Sequence, residues 1–128
     1  MTRNFGRCER MDYYVVISTV RNDQEGERIS RILVAKGIAA CVNIIPRVKS
    51  IYSWKGKICE ENEALMVIKT GGRRIDEIIN NIKSLHGYEV PEILVFKVDK
   101  GEKSYLRWLR EIAQSPSKKV IDNKKLKR

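Results

Sequence analysis

Apolar and polar positions alternate along the chain with periods that change from strand-like to helix-like. The β-branched and aromatic run "DYYVVIST" predicts a short buried strand. The following stretch, "NDQEGERISRILVAKG", predicts a helix with Asn22 or Asp23 as its N-cap and Gly37 at its end. Two apolar runs on either side of "WKGK" then predict a long β-hairpin, with Gly56 in its turn.

The second half of the chain continues with two helices around one strand. The segment "RRIDEIINNIKSLHG" predicts an amphipathic helix, because its apolar residues recur at helical spacing: Ile75, Ile78, Ile79, Ile82 and Leu85. "EILVFKV" predicts a last full strand, and "KSYLRWLREIA" predicts a final helix with an apolar side. The order is therefore βαββαβ plus a C-terminal helix.

This order predicts an α+β fold, a ferredoxin-like βαββαβ sandwich with a four-stranded antiparallel sheet and two helices on one face. We expect residues 13–113 to form this single domain, residues 1–12 to be a disordered N-terminal extension, and residues 114–128 to be a basic tail. Met11 is an alternative start. The fold hosts many unrelated functions and does not decide this one.

The predicted hairpin arm is unusual because it is long and carries apolar side chains at its tip. From about Val48 to Thr70 it exceeds the usual strand length of about five or six residues. Ile51, Tyr52 and Trp54 would be exposed there, and soluble monomers avoid such patches. We expect a homo-oligomer in which the arm packs on a neighbour; the alternative is that the final helix, near Trp108, folds back over it.

Charge adds little to this picture. The net charge is +10, and residues 114–128 supply +5 of it, with six lysines and arginines against Asp122 alone. Such a tail is typically solvated, and its binding to nucleic acid would be non-specific and salt-dependent. RNA-binding domains of the same strand order stack bases on aromatics of the third strand, but "EALMVIKT" has none. We expect no specific nucleic-acid partner.

Apolar runs and cysteines indicate the compartment. "YYVVI" and "IAACV" are far shorter than the roughly 18 residues needed to cross a bilayer, and the first residues lack the apolar core of a secretory signal. Three cysteines without a CxxC indicate a reducing compartment. We therefore expect a cytoplasmic protein without a membrane partner, in which Cys41 is a small buried side chain.

Four segments in this order resemble the CutA family of divalent-cation tolerance proteins: "AACVNIIPRVKSIYSWKGKI", "EALMVIKT", "LHGYEVPEIL" and "YLRWL". The resemblance covers roughly residues 13 to 112. It implies a ferredoxin-like subunit in a tight homotrimer, with the hairpin in intersubunit sheets and with Ile51, Tyr52, Trp54 and Trp108 at the interface. It also implies tolerance of copper and other divalent ions, Cu(II) binding, and no catalysis.

Metal ligation is the family property that this sequence matches least. Some members carry a cysteine in the first strand and a His-His pair before the "YxxPE" segment, where this chain has Ser18 and Leu85-His86. His86 is then the candidate ligand for Cu(II) or another divalent cation, with no tightly bound cofactor expected, and one imidazole makes a weak site unless other groups join it. Alternatively, His86 interacts with the helix dipole while Gly87 takes a left-handed C′ position.

The segment around "YEVPEI" also has two interpretations. In the functional one, an intersubunit cleft is lined by Trp54, Lys69, Tyr88, Glu89, Pro91 and Glu92. In the structural one, Pro91 fixes the entry to the last strand and Glu92 is a solvated edge charge.

Other function classes lack their motifs. A soft-metal chaperone needs CxxC after the first strand, and one histidine without a neighbouring nucleophile or base gives no catalytic triad. "TGGRR" does not have the spacing of a phosphate-binding loop. The remaining alternatives are a PII-like regulatory trimer that binds a small anionic effector, or a structural, anchoring trimer. Interleaved charges and trimer assembly predict a thermostable protein.

Overall fold

The computed structural model describes residues 12 to 114, and its elements follow the predicted order. They are β1 (Tyr13–Val20), α1 (Asp23–Ala35), β2 (Cys41–Trp54), β3 (Lys57–Gly71), a 3-10 turn (Gly72–Arg74), α2 (Ile75–Leu85), β4 (Leu94–Lys97) and α3 (Lys103–Gln114). Apart from residues 12 and 114, the predicted N-terminal extension and basic tail lie outside the described residues.

The four strands form one antiparallel sheet in the order β2-β3-β1-β4. Alternate side chains of β1 and β3 face α1 and α2 and form the core. Its fully buried members include Val16, Val20, Ala64, Met66 and Ile68 from the sheet, and Ile29, Leu33, Ile78 and Ile82 from the helices. The predicted ferredoxin-like architecture is confirmed.

Both ends of α1 are capped by the residues that the sequence pointed to. The Asn22 side chain accepts a hydrogen bond from the Glu25 N–H at 2.9 Å, so Asn22 is the N-cap rather than Asp23. Gly37 has φ 74°, and the N–H of Ile38 donates to the Leu33 carbonyl at 3.2 Å. This is a Schellman motif, in which a left-handed glycine satisfies the last carbonyls of the helix.

The hairpin is a long, continuous two-stranded ribbon. Strand β2 has 14 residues and β3 has 15, which gives about 45 Å at roughly 3.3 Å per residue. Lys55 (φ 53°) and Gly56 (φ 79°) form a two-residue turn whose positive φ angles correspond to type I′. The register shifts once, between Ile45 and Val48, where Arg47 is left-handed at φ 56°.

Strand β4 is shorter than the predicted full strand. It contains only Leu94–Lys97, and it pairs with Tyr14–Ile17 of β1. The segment before β4 instead makes hydrogen bonds to the end of β1, to α1 and to β3, as described below.

Candidate functional site

The face of the sheet opposite α1 and α2 carries a second apolar surface. Antiparallel partners point to the same side and alternate residues to opposite sides, so this open face follows from the register. It contains Val15, Ile17, Ile45, Leu65, Val67, Leu94 and Phe96. Leu94 is 50% exposed and Phe96 is 52% exposed, so the described residues leave the β4 side of this face open to solvent.

The tip of the hairpin is exposed as well. Ile58 is 85% exposed and Trp54 is 53% exposed. Helix α3 packs at the other end of β3, where the Arg74 Nε donates to the Ala113 carbonyl at 2.9 Å. The alternative in which the final helix covers the arm within one chain is therefore not observed among residues 12–114.

His86 lies at the end of α2 and is buried, with 9% of its surface exposed. Its Nε2 is 2.6 Å from the carbonyl oxygen of Thr19, and its Nδ1 accepts a hydrogen bond from the Tyr88 N–H at 3.0 Å. A carbonyl only accepts and a backbone N–H only donates. The ring is therefore the neutral tautomer with its proton on Nε2.

The backbone around His86 corrects the predicted helix ending. His86 is extended (φ −75°, ψ 144°), and the positive-φ glycines of the described chain are Gly37 and Gly56, so the prediction of a left-handed Gly87 is wrong. A Cβ at Gly87 would overlap the exposed guanidinium of Arg21 and lie 2.8 Å from Glu25 Oε2, so a larger residue there would require both side chains to shift.

The buried carboxylate of Glu25 accepts hydrogen bonds that hold the turn after His86. It accepts from the Arg21 N–H at 2.8 Å, from the Gly87 N–H at 3.0 Å, and from the Arg21 guanidinium at 3.3 Å. Burial acts to raise the pKa of Glu25, but the backbone hydrogen bond from Arg21, the electrostatic effect of neighbouring His86, and the side-chain hydrogen bond and charge of Arg21 together lower it below its ordinary value.

Two tyrosine–glutamate pairs lie on the open face of the hairpin. The Tyr88 hydroxyl donates to buried Glu63 at 2.7 Å; burial of Tyr88 and this bond raise the pKa of its phenol well above the usual range. The Tyr52 hydroxyl donates to Glu61 at 2.7 Å, and this bond raises the pKa of Tyr52 to about 12. Near Tyr88, Thr19 Oγ1 donates to Glu92 at 3.4 Å.

Lys69 lies on the same face but far from these groups. Its Nζ is 3.9 Å from the sulfur of Cys41, its cross-strand partner, and Cys41 is half-buried on the open face rather than buried in the core as predicted. Six residues of β3, about 20 Å, separate Lys69 from Glu63, and six more separate Glu63 from Lys57, the partner of Trp54.

One chain therefore does not bring the predicted cleft residues together. Tyr88 and Glu92 share the end of β1, whereas Lys69 and Trp54 lie some 20 Å away along the hairpin in opposite directions. Glu89 is exposed and Pro91 is half-buried in the connecting segment.

The described residues of one chain do not fit a divalent metal site. Within residues 12–114 no group of three or more histidine, cysteine, aspartate or glutamate side chains is placed to hold a metal ion. Both ring nitrogens of His86 are already hydrogen-bonded. Ser18 is fully buried in the sheet, and Leu85 packs against the core.

Three residues of this network were missed in the sequence: Thr19, Glu25 and Glu63. Glu63 carried a weak signal, since it is two residues before Leu65 and so shares the face of an otherwise apolar strand segment. Thr19 carried none, because His86 and Glu92 are more than 60 positions away; Glu25 has a local partner in Arg21, but its contact with Gly87 spans 62 positions and could not be foreseen.

Across the part of the chain that the structure describes, no helix combines the length and apolar character required to cross a membrane.

Comparison with known proteins gives one consistent result. Residues 14–112 match the family model of the CutA1 divalent ion tolerance protein. The human "Protein CutA" is 41% identical over 102 residues, which are 80% of this chain and 57% of that protein. The chain spans little more than half the length of this and the other mammalian relatives, at 54–57%.

Bacterial relatives are matched over nearly their whole length. The "Divalent-cation tolerance protein CutA" of Thermus thermophilus is 40% identical over 97 residues, 76% of this chain and 94% of that protein. The crystal structure of CutA from Xylella fastidiosa aligns with a TM-score of 0.78 at 35% identity, covering 80% of this chain and 98% of that chain.

Proposed function

Because this chain belongs to the CutA1 divalent ion tolerance family, we propose that it is a homotrimeric divalent-cation tolerance protein that acts by binding rather than by catalysis. The observation that carries the proposal is the exposed apolar arm. Ile51 is 65% exposed beside Tyr52 and Trp54. Burying such side chains against a neighbour stabilises the assembly by about 25 cal/mol for each Å² of apolar surface removed from water.

The open edge of the sheet gives the trimer a second contact surface. Strand β4 is an edge strand whose four residues are all exposed, and an unpaired edge accepts a strand of another chain. We propose that Ile51, Tyr52 and Trp54 pack on a neighbour near this face. Trp108, half-buried against Tyr105 on α3, completes the proposed interface from the other end of the sheet.

We propose that the working site is a cleft between subunits. Trp54, Lys69 and the group Tyr88, Glu89, Pro91 and Glu92 are spread along one chain, so a compact site needs residues from two copies. An arm that reaches a neighbour brings the tip of one hairpin to the middle of another, which shortens these separations.

One observation favours a regulatory role of the PII type at the same cleft. Lys69 is half-buried, and among residues 12–114 no carboxylate lies within ion-pair distance of it. A lysine without an acidic partner on an apolar face is suited to a small anionic effector. Copper at His86 is not part of the proposal, because the one lone pair of the ring, on Nδ1, already accepts the Tyr88 N–H.

We further propose a cytoplasmic location and a high unfolding temperature. Cys41 and Cys59 are free thiols, which fits a reducing compartment. Burial of three arms at intersubunit contacts would stabilise the folded chain by mass action.

A growth assay tests the proposed function. Cells that lack their own family member are grown at raised Cu(II) with this chain, with Trp54→Glu, or with Lys83→Glu, an exposed change on α2. The chain and Lys83→Glu should restore growth, and Trp54→Glu should not. Equal restoration by a monomeric Trp54→Glu protein would show that the assembled cleft is not needed.

A further inference from the structure

We propose that His86 is a positioning residue and not a copper ligand: as a neutral Nε2–H imidazole it ties the end of β1 to the segment after α2 and so holds Tyr88 against Glu63. The assignment rests on contacts within one chain. It depends on the proposed function only in that Tyr88 lines the proposed cleft.

The two contacts of the ring exclude a metal. Nε2 must carry the proton in order to donate to the Thr19 carbonyl, and Nδ1 must keep its lone pair in order to accept from the Tyr88 N–H. A metal takes the lone pair of a neutral imidazole nitrogen. Binding at Nδ1 would displace the Tyr88 N–H, and binding at Nε2 would break the link to Thr19.

The positioning effect follows from the neighbouring contacts. The Gly87 N–H bonds to Glu25, and the Tyr88 hydroxyl bonds to Glu63, on either side of the backbone that His86 fixes. Nδ1 of His86 accepts the Tyr88 N–H, so the ring fixes the position of the Tyr88 backbone. That position determines whether the Tyr88 hydroxyl reaches Glu63.

Charged groups approach His86 from several elements. Glu25, paired with Arg21, lies next to it on α1, and Arg28 donates to the Leu85 carbonyl at 3.0 Å. Glu63 on β3 and Glu92 approach through Tyr88 and Thr19. A protonated ring has N–H groups on both nitrogens, so Nδ1 can no longer accept from Tyr88.

The test uses the full chain, ¹⁵N-labelled, in three forms: wild type, His86→Asn and His86→Phe. The Asn oxygen can replace Nδ1 as an acceptor without being titratable, whereas Phe replaces neither contact. We expect the ring proton on Nε2, and Tyr88 amide exchange that is slow in wild type and His86→Asn but about tenfold or more faster in His86→Phe.

Cu(II) titration followed by electron paramagnetic resonance completes the test. We expect the same stoichiometry and spectrum for wild type, His86→Asn and His86→Phe. A proton on Nδ1, or the loss of one copper per chain in either variant, would overturn the proposal. If His86→Phe does not fold, the tautomer and the His86→Asn titration still decide. The mass of each sample, measured alongside, shows separately whether the proposed trimer forms.

Discussion

The hydroxyl of Tyr88 donates a 2.7 Å hydrogen bond to the buried carboxylate of Glu63, 25 positions earlier in the chain. The contact joins the irregular segment after α2 to β3, one of the two central strands of the sheet. It gives a buried charge a donor, which is the condition under which a carboxylate is tolerated away from water. The open face of the hairpin is thus organised by polar contacts as well as by apolar packing.

Removal of this hydroxyl should destabilise the fold. Tyr88→Phe leaves Glu63 buried without its tyrosine donor, and we expect a loss of about 1–3 kcal/mol in the free energy of unfolding. Denaturant unfolding at pH 7 and fixed protein concentration measures it. The control is Ser84→Ala, whose hydroxyl donates to the Asn81 carbonyl at 3.1 Å on the exposed side of α2 and whose loss should cost no more than about 0.5 kcal/mol. Equal losses of unfolding free energy in the two variants would show that burial of the Glu63 carboxylate does not determine the cost.

Glu25 should make stability depend on acid pH. Its pKa in the folded chain is below the ordinary value of 4.5, so the folded state binds its proton less readily than the unfolded state does. The stabilisation is complete above that value and is lost as pH falls through the folded pKa. Between pH 6 and pH 3, the unfolding temperature should fall less steeply with decreasing pH in Glu25→Gln than in wild type. Glu27→Gln, an exposed change on the same helix, is the control, and parallel curves for Glu25→Gln and wild type would refute the prediction.

Gly87 should resist substitution for reasons of space. In Gly87→Ala the new methyl group meets the Arg21 guanidinium and Glu25, and we expect a cost of about 1–3 kcal/mol, as for other overpacked sites. Arg21→Ala should reduce that cost, because it removes one of the two obstacles. A double-mutant cycle of unfolding free energies measures the coupling. If the changes in unfolding free energy of Gly87→Ala and Arg21→Ala simply add, Arg21 is not the group that the new methyl meets.

The tip of the arm should control assembly. Trp54→Glu introduces a charge on the surface that we expect a neighbour to bury, so it should lower the mass of the assembly at micromolar protein. Lys83→Glu, on the exposed side of α2, should leave the mass unchanged. Sedimentation velocity compares them, and an unaltered Trp54→Glu assembly would exclude the tip from the interface.

Much of the fold could be predicted from local sequence. The spacing of Ile78 and Ile82, the N-cap position and the glycines of the turns act over a few residues, and the structure contains the elements that they indicate. The predictions of the length of β4 and of the conformation of Gly87 were wrong, because contacts between distant parts of the chain decide both. His86 contacts Thr19 across 67 positions, which no short motif encodes.

The candidate site was harder to predict for the same reason. Tyr88 and Glu92 were identified from their motif, but their partners Glu63 and Thr19 are defined only by the sheet register and by the path of the chain after α2. Cys41 was expected in the core, although its pairing with Lys69 places it on the open face.

The proposed cleft exists only if the chain forms a trimer, and the mass of the protein in solution shows whether it does. Light scattering coupled to size exclusion should give about three times the chain mass of 14.9 kDa at micromolar concentration. A single-chain mass over the same concentration range would exclude the trimer, because the arm and the cleft would then have no partner subunit.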